Sequence, residues 1–200
     1  MDATQAALKD IESTADLLEK GLKLAGLVTR LFAEAGCNLV VVGGSAVEFY
    51  TEGAYMSGDI DFCRRELTRL PLRRAQDIMG TLGATGGPRS WLVAGLYVDL
   101  LGVLENESVS PCRNIETPFG TVSVLPPETA LVERVLLAFY PQRDADARDV
   151  ACKLLAACVS GETPVDWDEV RRLAALPDFN VTTELEALRE EVQRERAEEA

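Results

Sequence analysis

Asn38-Leu39-Val40-Val41-Val42-Gly43-Gly44-Ser45-Ala46-Val47-Glu48-Phe49-Tyr50 and, a few residues on, Ser57-Gly58-Asp59-Ile60-Asp61-Phe62 form the stretch that decides how this chain folds. Leu39–Val42 is apolar and β-branched, which suits a strand covered on both faces. Gly43-Gly44 turns the chain sharply and lets backbone N–H groups come close to a ligand. Ser45 then opens a helix. Ser57-Gly58 is turn-like, and the strand that follows carries Asp59 and Asp61 at a spacing that points both side chains to one face. Two carboxylates are therefore expected to converge beside the glycine turn.

Upstream, residues 4–35 carry apolar side chains at three- and four-residue steps, among them Ile11, Leu18, Leu22, Leu27, Leu31 and Phe32, a helical pattern. Gly21 and Gly26 are expected to split it into two helices, and Gly36 to cap its end. Downstream, Arg64, Arg65, Arg69, Arg73 and Arg74 make the one dense basic cluster of the sequence, leading into a helix over 72–82 with Pro71 near its first turn. The cluster reads either as a solvated helix face or as a hold on phosphates or an RNA backbone next to the aspartates.

Gly83–Pro88 reads as a loop, and Trp91–Val93 and Leu96–Leu101 as strands. Asp99 interrupts the second of these, Leu96-Tyr97-Val98-Asp99-Leu100-Leu101. A lone aspartate in an apolar strand is costly unless its charge is met, by a metal ion or an arginine. Residues 115–124 resemble a β-hairpin turning at Pro118–Gly120. Helices follow over 128–140, from Asp144 or Asp146 through Leu155, over 167–176 and over 183–196. The last is expected to start with a capping box, Thr183 with Glu186, and its final residues are expected to fray.

The chain has 200 residues, 47% of them hydrophobic, enough for a sizeable core. It is expected to form a core over 1–125 and a C-terminal helical region over 126–200. The start carries no signal-peptide pattern and no apolar run is long enough to span a bilayer, so a cytoplasmic protein without a membrane partner is expected. Cys37, Cys63, Cys112, Cys152 and Cys158 are scattered, with no C-x-x-C pair, and are read as free thiols. The chain has no histidine, which removes Ser-His-Asp and Cys-His catalysis and leaves carboxylates and metal as the natural substitutes. The formal charge of −13, concentrated in part in the glutamate-rich tail from Glu184, argues against nonspecific adhesion to nucleic acid but leaves room for a local basic patch.

Asp59, Asp61 and Asp99 would repel one another unless a cation sat among them, and Mg²⁺ prefers such oxygen ligands. Two such ions suit an in-line phosphoryl or nucleotidyl displacement. The glycine turn and the helix start at Ser45 offer N–H donors for a triphosphate. A Rossmann fold would also place Val42-Gly43-Gly44-Ser45 after a strand, but G-x-G-x-x-G fails at Ser45 and Glu48, and a P-loop fails for want of Gly-Lys-Ser/Thr.

Gly43-Gly44-Ser45, Ser57-Gly58-Asp59-Ile60-Asp61-Phe62 and Val98-Asp99-Leu100 together resemble the active-site pattern of the polymerase-β-type nucleotidyltransferase superfamily. The likeness is closest to its minimal bacterial branch, which includes the abortive-infection toxin nucleotidyltransferases of toxin–antitoxin pairs. Glu133-Arg134, Arg143 and Arg148-Asp149 are also similar to that branch, and the resemblance spans residues 36–155. It implies an α/β (α+β) fold with a small mixed β-sheet flanked by helices and a C-terminal helical segment. It also implies two Mg²⁺ ions at Asp59, Asp61 and Asp99, and an NTP such as ATP bound by Gly43, Gly44, Ser45, Arg134 and Arg148. The implied reaction moves a nucleotide to a hydroxyl of a tRNA, a protein or a small molecule, with an antitoxin as a partner. Two departures stand out: Tyr55-Met56 occupy the place of a usual basic residue, and Arg134 that of a commoner lysine. The alternative reading is a catalytically inactive domain of the same type that binds a nucleotide or a partner protein.

Overall fold

Two helices precede the first strand in the computed structural model, which describes residues 3–65, 70–105 and 108–199. Helix α1 spans Ala3–Ser13 and α2 spans Leu17–Glu34. The break falls at 14–16 and not at Gly21 or Gly26, because Asp16 caps α2, its carboxylate accepting the Glu19 N–H at 2.7 Å. Gly21 and Gly26 lie inside α2, and packing explains the second. A Cβ at Gly26 would strike the Thr117 hydroxyl and stand 2.9 Å from the Gly120 carbonyl, so glycine lets a hairpin lie directly against the helix. The end of α2 is a Schellman closure, with the Cys37 N–H on the Phe32 carbonyl and the Gly36 N–H on that of Ala33, each at 2.9 Å.

The remaining elements are β1 (Leu39–Val41), α3 (Gly43–Tyr50), β2 (Asp59–Arg64), α4 (Leu72–Thr81), β3 (Thr85–Gly86), β4 (Ser90–Val93), β5 (Leu96–Val103), β6 (Arg113–Thr117), β7 (Gly120–Val124), α5 (Pro127–Phe139), α6 (Ala145–Ser160), α7 (Trp167–Ala174) and α8 (Thr182–Glu199). The strands form one seven-stranded mixed sheet in the order β3-β4-β5-β2-β1-β7-β6. β1 is antiparallel to β2 and parallel to β7, while β2 runs parallel to β5. Leu39, Val40 and Val41 are buried, as expected of a strand covered on both faces. The antiparallel β1–β2 pair also excludes a Rossmann βαβ unit, whose consecutive strands are parallel. Gly83–Pro88, read as loop, contains the two-residue β3, held as an edge by Gly86 opposite Trp91.

The chain divides into two compact units. The first holds Met1–Phe49, Met56–Glu105 and Cys112–Leu125, and the second holds Tyr50–Tyr55, Asn106–Pro111 and Pro126–Ala200. In the first, α2 lies along β7 and Leu24, Leu27, Phe32, Phe62, Val98 and Val122 are buried. In the second, α5 packs on α6 and α7, and α8 on α6. Two short segments join the helices of this unit instead of the sheet. The Thr163 hydroxyl donates to the Tyr50 carbonyl at 2.6 Å, and Glu169 accepts from the Ser108 hydroxyl at 3.0 Å and the Val109 N–H at 2.8 Å. Helix α8 starts one residue ahead of Thr183, which puts Thr183 in the first turn and not at a cap, and the helix runs on to Glu199. None of the five cysteines forms a disulfide. Among the described residues no helix is long and apolar enough to cross a membrane.

The basic cluster read from the sequence does not hold together in space. Arg65 donates to the Ser123 hydroxyl at 3.0 Å, Arg64 lines a cavity at the ends of β2 and β5, and Arg74 lines a different one beside Glu34 and Asp77. Neighbouring strand residues point to opposite faces, so a run in the sequence disperses. Arg69 lies outside the described residues.

Candidate active site

Asp59 and Asp61 stand on one face of β2, where burial alternates with Ile60 and Phe62 on the other. Parallel pairing sets Asp99 of β5 as the register partner of Asp61. The three side chains offer carboxylate oxygens that all lie within 4.8 Å of one another. Each residue is half-buried. Such a set could hold a hard cation, and an all-oxygen donor set suits Mg²⁺. The Asp99 Oδ1 is buried and has no hydrogen-bond partner among the described residues. A buried carboxylate oxygen left without a donor is a place where a cation is favoured. No arginine forms a salt bridge with Asp99 among the described residues.

The glycine turn meets this cluster at close range. The Val42 N–H donates to the Asp61 carbonyl at 3.0 Å. Gly43 has a φ of +65°, and a Cβ there would collide with the Asp61 carboxylate, standing 3.2 Å from its Cγ. Only glycine lets the backbone and the acid come this near. The chain enters α3 at once, so the N–H groups of Gly43, Gly44 and Ser45 stand at a helix start, where no intrahelical acceptor faces them. Anions are favoured at such a start.

Ser45 is placed differently from a side chain that reaches a nucleotide. It is fully buried; its hydroxyl accepts the Asp61 N–H at 2.8 Å and donates to the Val42 carbonyl at 3.3 Å. Its side chain thus ties the turn to β2, and what it offers a ligand is its backbone N–H.

A residue that the sequence pattern did not single out holds the other acid. Glu48 of α3 is 5% exposed, and its Oε2 accepts the Ser57 N–H at 2.8 Å. Ser57 in turn donates its hydroxyl to Asp59 Oδ1 at 2.5 Å. Burial pushes the Glu48 carboxyl above its ordinary range; the Ser57 hydrogen bond works against this and the charge of Asp59 adds to it. The signal in the sequence was a single acid in a helix whose Ala46, Val47, Phe49 and Tyr50 are apolar and buried. A buried acid in such a helix must have a partner.

Arg134, Arg143 and Arg148 belong to the second unit. Arg148 is engaged there with Glu191, Nη2 lying 2.6 Å from Oε1, which raises its already high pKa. The guanidinium of Arg143 lies 5.7 Å from the centre of the Phe139 ring. The Arg134 Nε is buried without a hydrogen-bond partner among the described residues. Beside it, Glu133 is pushed above the usual carboxylate range by burial, with the Arg134 charge opposing.

No protein-family profile matches the chain, and no curated protein matches it in sequence. Solved structures do match. An antigenic nucleotidyltransferase-like protein from Paracoccidioides brasiliensis superposes with a TM-score of 0.55 at 11% identity, covering 87% of this chain and 94% of its own. The antibiotic-resistance factor ANT(2″)-Ia superposes more loosely. Its solution structure gives a TM-score of 0.44 at 16% identity over 98% of this chain and 95% of its own. Its complex with adenylyl-2″-tobramycin gives 0.47 at 14% over 85% and 95%. At such identities the first likeness speaks for the fold, and the other two carry none of the argument. The mixed seven-stranded sheet flanked by helices is a nucleotidyltransferase-like fold.

Proposed function

We propose that this chain is a Mg²⁺-dependent nucleotidyltransferase that moves a nucleoside monophosphate from an NTP to a hydroxyl of an acceptor. The observation that carries the reading is the convergence of the Asp59, Asp61 and Asp99 carboxylates within 4.8 Å beside the Gly43 turn. Asp59, Asp61 and Asp99 would hold Mg²⁺, which when bound stabilises negative charge on the phosphoryl oxygens and lowers the pKa of an attacking hydroxyl. The backbone at Gly43, Gly44 and Ser45 receives the triphosphate at the start of α3. Ser45 and Glu48 keep the acids in register, the first through the Asp61 backbone and the second through Ser57. Asp99, with its unpartnered oxygen, is the group best placed to take the proton of the acceptor hydroxyl.

Arg134 and Arg148 are assigned to the nucleotide phosphates by resemblance, and Arg148 must exchange Glu191 for phosphate to serve there. The acceptor is an RNA such as a tRNA end, a protein or a small hydroxylated molecule. A toxin role with an antitoxin partner, in the cytoplasm, follows from the same resemblance. One observation favours a second reading, a domain that binds nucleotide without turnover: Arg148 is already paired with Glu191.

The test is incorporation of labelled NTPs into RNA, protein and small-molecule acceptors by the parent, Asp59→Ala and Asp61→Ala. Incorporation by the parent alone, with all three folded, supports the enzyme. A parent that binds NTP yet labels no acceptor overturns it in favour of the binding domain.

A further inference from the structure

The face of the sheet that bears the acids carries other side chains beside them. Parallel register pairs Tyr97 of β5 with Asp59 and Asp99 with Asp61, and antiparallel register pairs Leu92 of β4 with Tyr97 and Ser90 with Asp99. Register partners share a face, as do residues two apart on one strand. Ser90, Leu92, Tyr97 and the three acids therefore stand together, while Ile60, Phe62, Trp91, Val98 and Leu100 alternate with them and are buried on the other face. Tyr97 is 56% exposed and Leu92 38%. The Tyr97 side chain has no hydrogen-bond or ion-pair partner among the described residues. An open aromatic ring with a leucine across from it is a surface on which a flat, neutral ring stacks. None of the six positions is basic, so this face offers no cation to a phosphate.

Spacing selects the ligand. Tyr97 and Asp99 are one two-residue step apart on β5, roughly 7 Å. Asp99 is assigned the proton of the acceptor hydroxyl, so a ring on Tyr97 and that hydroxyl must be separated by about the same step. A nucleoside meets this, because its sugar holds the hydroxyls away from the base. A tyrosine acceptor carries its hydroxyl on the ring itself and cannot occupy both places. The triphosphate stands on the other side of the acids, at Gly43 after β1, since β2 lies between β1 and β5 in the sheet. Building on the transfer reading above, we propose that Tyr97, with Leu92 beside it, stacks a nucleobase of the acceptor and so presents a sugar hydroxyl of that nucleoside to Asp99. The hydroxyl oxygen bonds to the α-phosphorus, pyrophosphate leaves with the electrons of the broken P–O bond, and the proton passes to Asp99. The polymeric form of such an acceptor is the 3′ end of an RNA strand.

The experiment uses the full chain with Mg²⁺ and no NTP. Fluorescence anisotropy measures its affinity for a labelled RNA oligonucleotide ending in a 3′ adenosine and for the same strand with an abasic 3′ end, and equilibrium dialysis measures binding of labelled adenosine. Removing the terminal base should weaken binding to the parent about tenfold. Tyr97→Ala should weaken binding of the intact strand by about the same factor, and the two losses should not add. Tyr97→Phe and Tyr97→Trp should keep the affinity, since stacking needs the ring and not the hydroxyl. Binding of adenosine but not of the strand, lost in Tyr97→Ala, assigns the face to a small nucleoside acceptor. A Tyr97→Ala variant that binds like the parent overturns the proposal, as does a parent that ignores the terminal base or binds neither strand nor adenosine. Loss of ATP binding by calorimetry in Tyr97→Ala, with strand binding intact, overturns it too, because the ring then serves the base of the NTP. The two readings fail separately. Tyr97-dependent binding of the terminal base without any incorporation of labelled NTP sinks the transfer reading alone, and incorporation with an acceptor KM unmoved by Tyr97→Ala sinks this one alone.

Discussion

Replacing Asp99 with Asn tests the carboxylate cluster without knowledge of substrate. The ligand oxygens of Asp59, Asp61 and Asp99 lie no more than 4.8 Å apart. Two unit charges at that distance repel by about 3.5 kcal/mol at an effective dielectric of 20 and by about 1 kcal/mol in water. The carboxylates are half-buried and Asp99 faces two others, so Asp99→Asn removes roughly 1–3 kcal/mol of repulsion from the metal-free chain. Asn keeps the shape and one acceptor oxygen. In EDTA the variant should melt above the parent, by roughly 2–4 °C for each kcal/mol in a chain of this size. Mg²⁺ should reverse the order. A cation at a hundred times its Kd stabilises the parent by about 2.7 kcal/mol, and the variant, lacking one ligand, gains far less. The assay is thermal unfolding by circular dichroism in EDTA and across a Mg²⁺ titration. A variant that melts below the parent in EDTA, together with a parent unmoved by Mg²⁺, would refute the claim that these acids form a cation site.

Glu48→Ala removes the acceptor of the Ser57 N–H and frees the residue that orients Asp59, so Mg²⁺ affinity by calorimetry should fall about 10-fold or more, whereas Glu48→Gln, which keeps a carbonyl oxygen there, should lose much less. Equal losses in the two variants would mean that charge, and not the hydrogen bond, is what matters. Gly43→Ala places a methyl against the Asp61 carboxylate at a φ of +65°, and should cost about 1–3 kcal/mol in chemical denaturation as well as weakening Mg²⁺ binding; unchanged stability would show that the turn can relax. Glu169 is held at about 2 by the Arg172 guanidinium, with Ser108 and Val109 assisting. Its folded pKa is depressed, so the stability it contributes is present above the unfolded carboxylate pKa and is lost as pH falls toward about 2. Glu169→Gln should therefore flatten the acid limb of an unfolding profile between about pH 4.5 and 2, and an unaltered limb would count against the assignment.

Local chemistry made much of the site legible. A period of two places Asp59 and Asp61 on one face whatever the sheet, and a glycine after a β-branched run marks the turn. Asp99 was visible as a charge in an apolar strand. Its place opposite Asp61 was not, because that depends on β5 pairing in parallel with β2 across some forty residues of chain. Glu48 looked like one more helix residue until the fold brought Ser57 to it.

The errors have the same origin. Gly21 and Gly26 resemble helix breakers by propensity, yet α2 runs through them because the hairpin Thr117–Gly120 needs the space at Gly26. The arginines after β2 form a cluster along the chain and disperse in the sheet, since Arg64 and Arg65 point to opposite faces. The sequence by itself determined the strand, the turn, the two-residue spacing of the acids and the absence of histidine, since these depend only on neighbouring residues. Tertiary structure alone decided the register that completes the cluster and the buried acid that steadies it, because contacts between distant segments are set by packing and strand pairing.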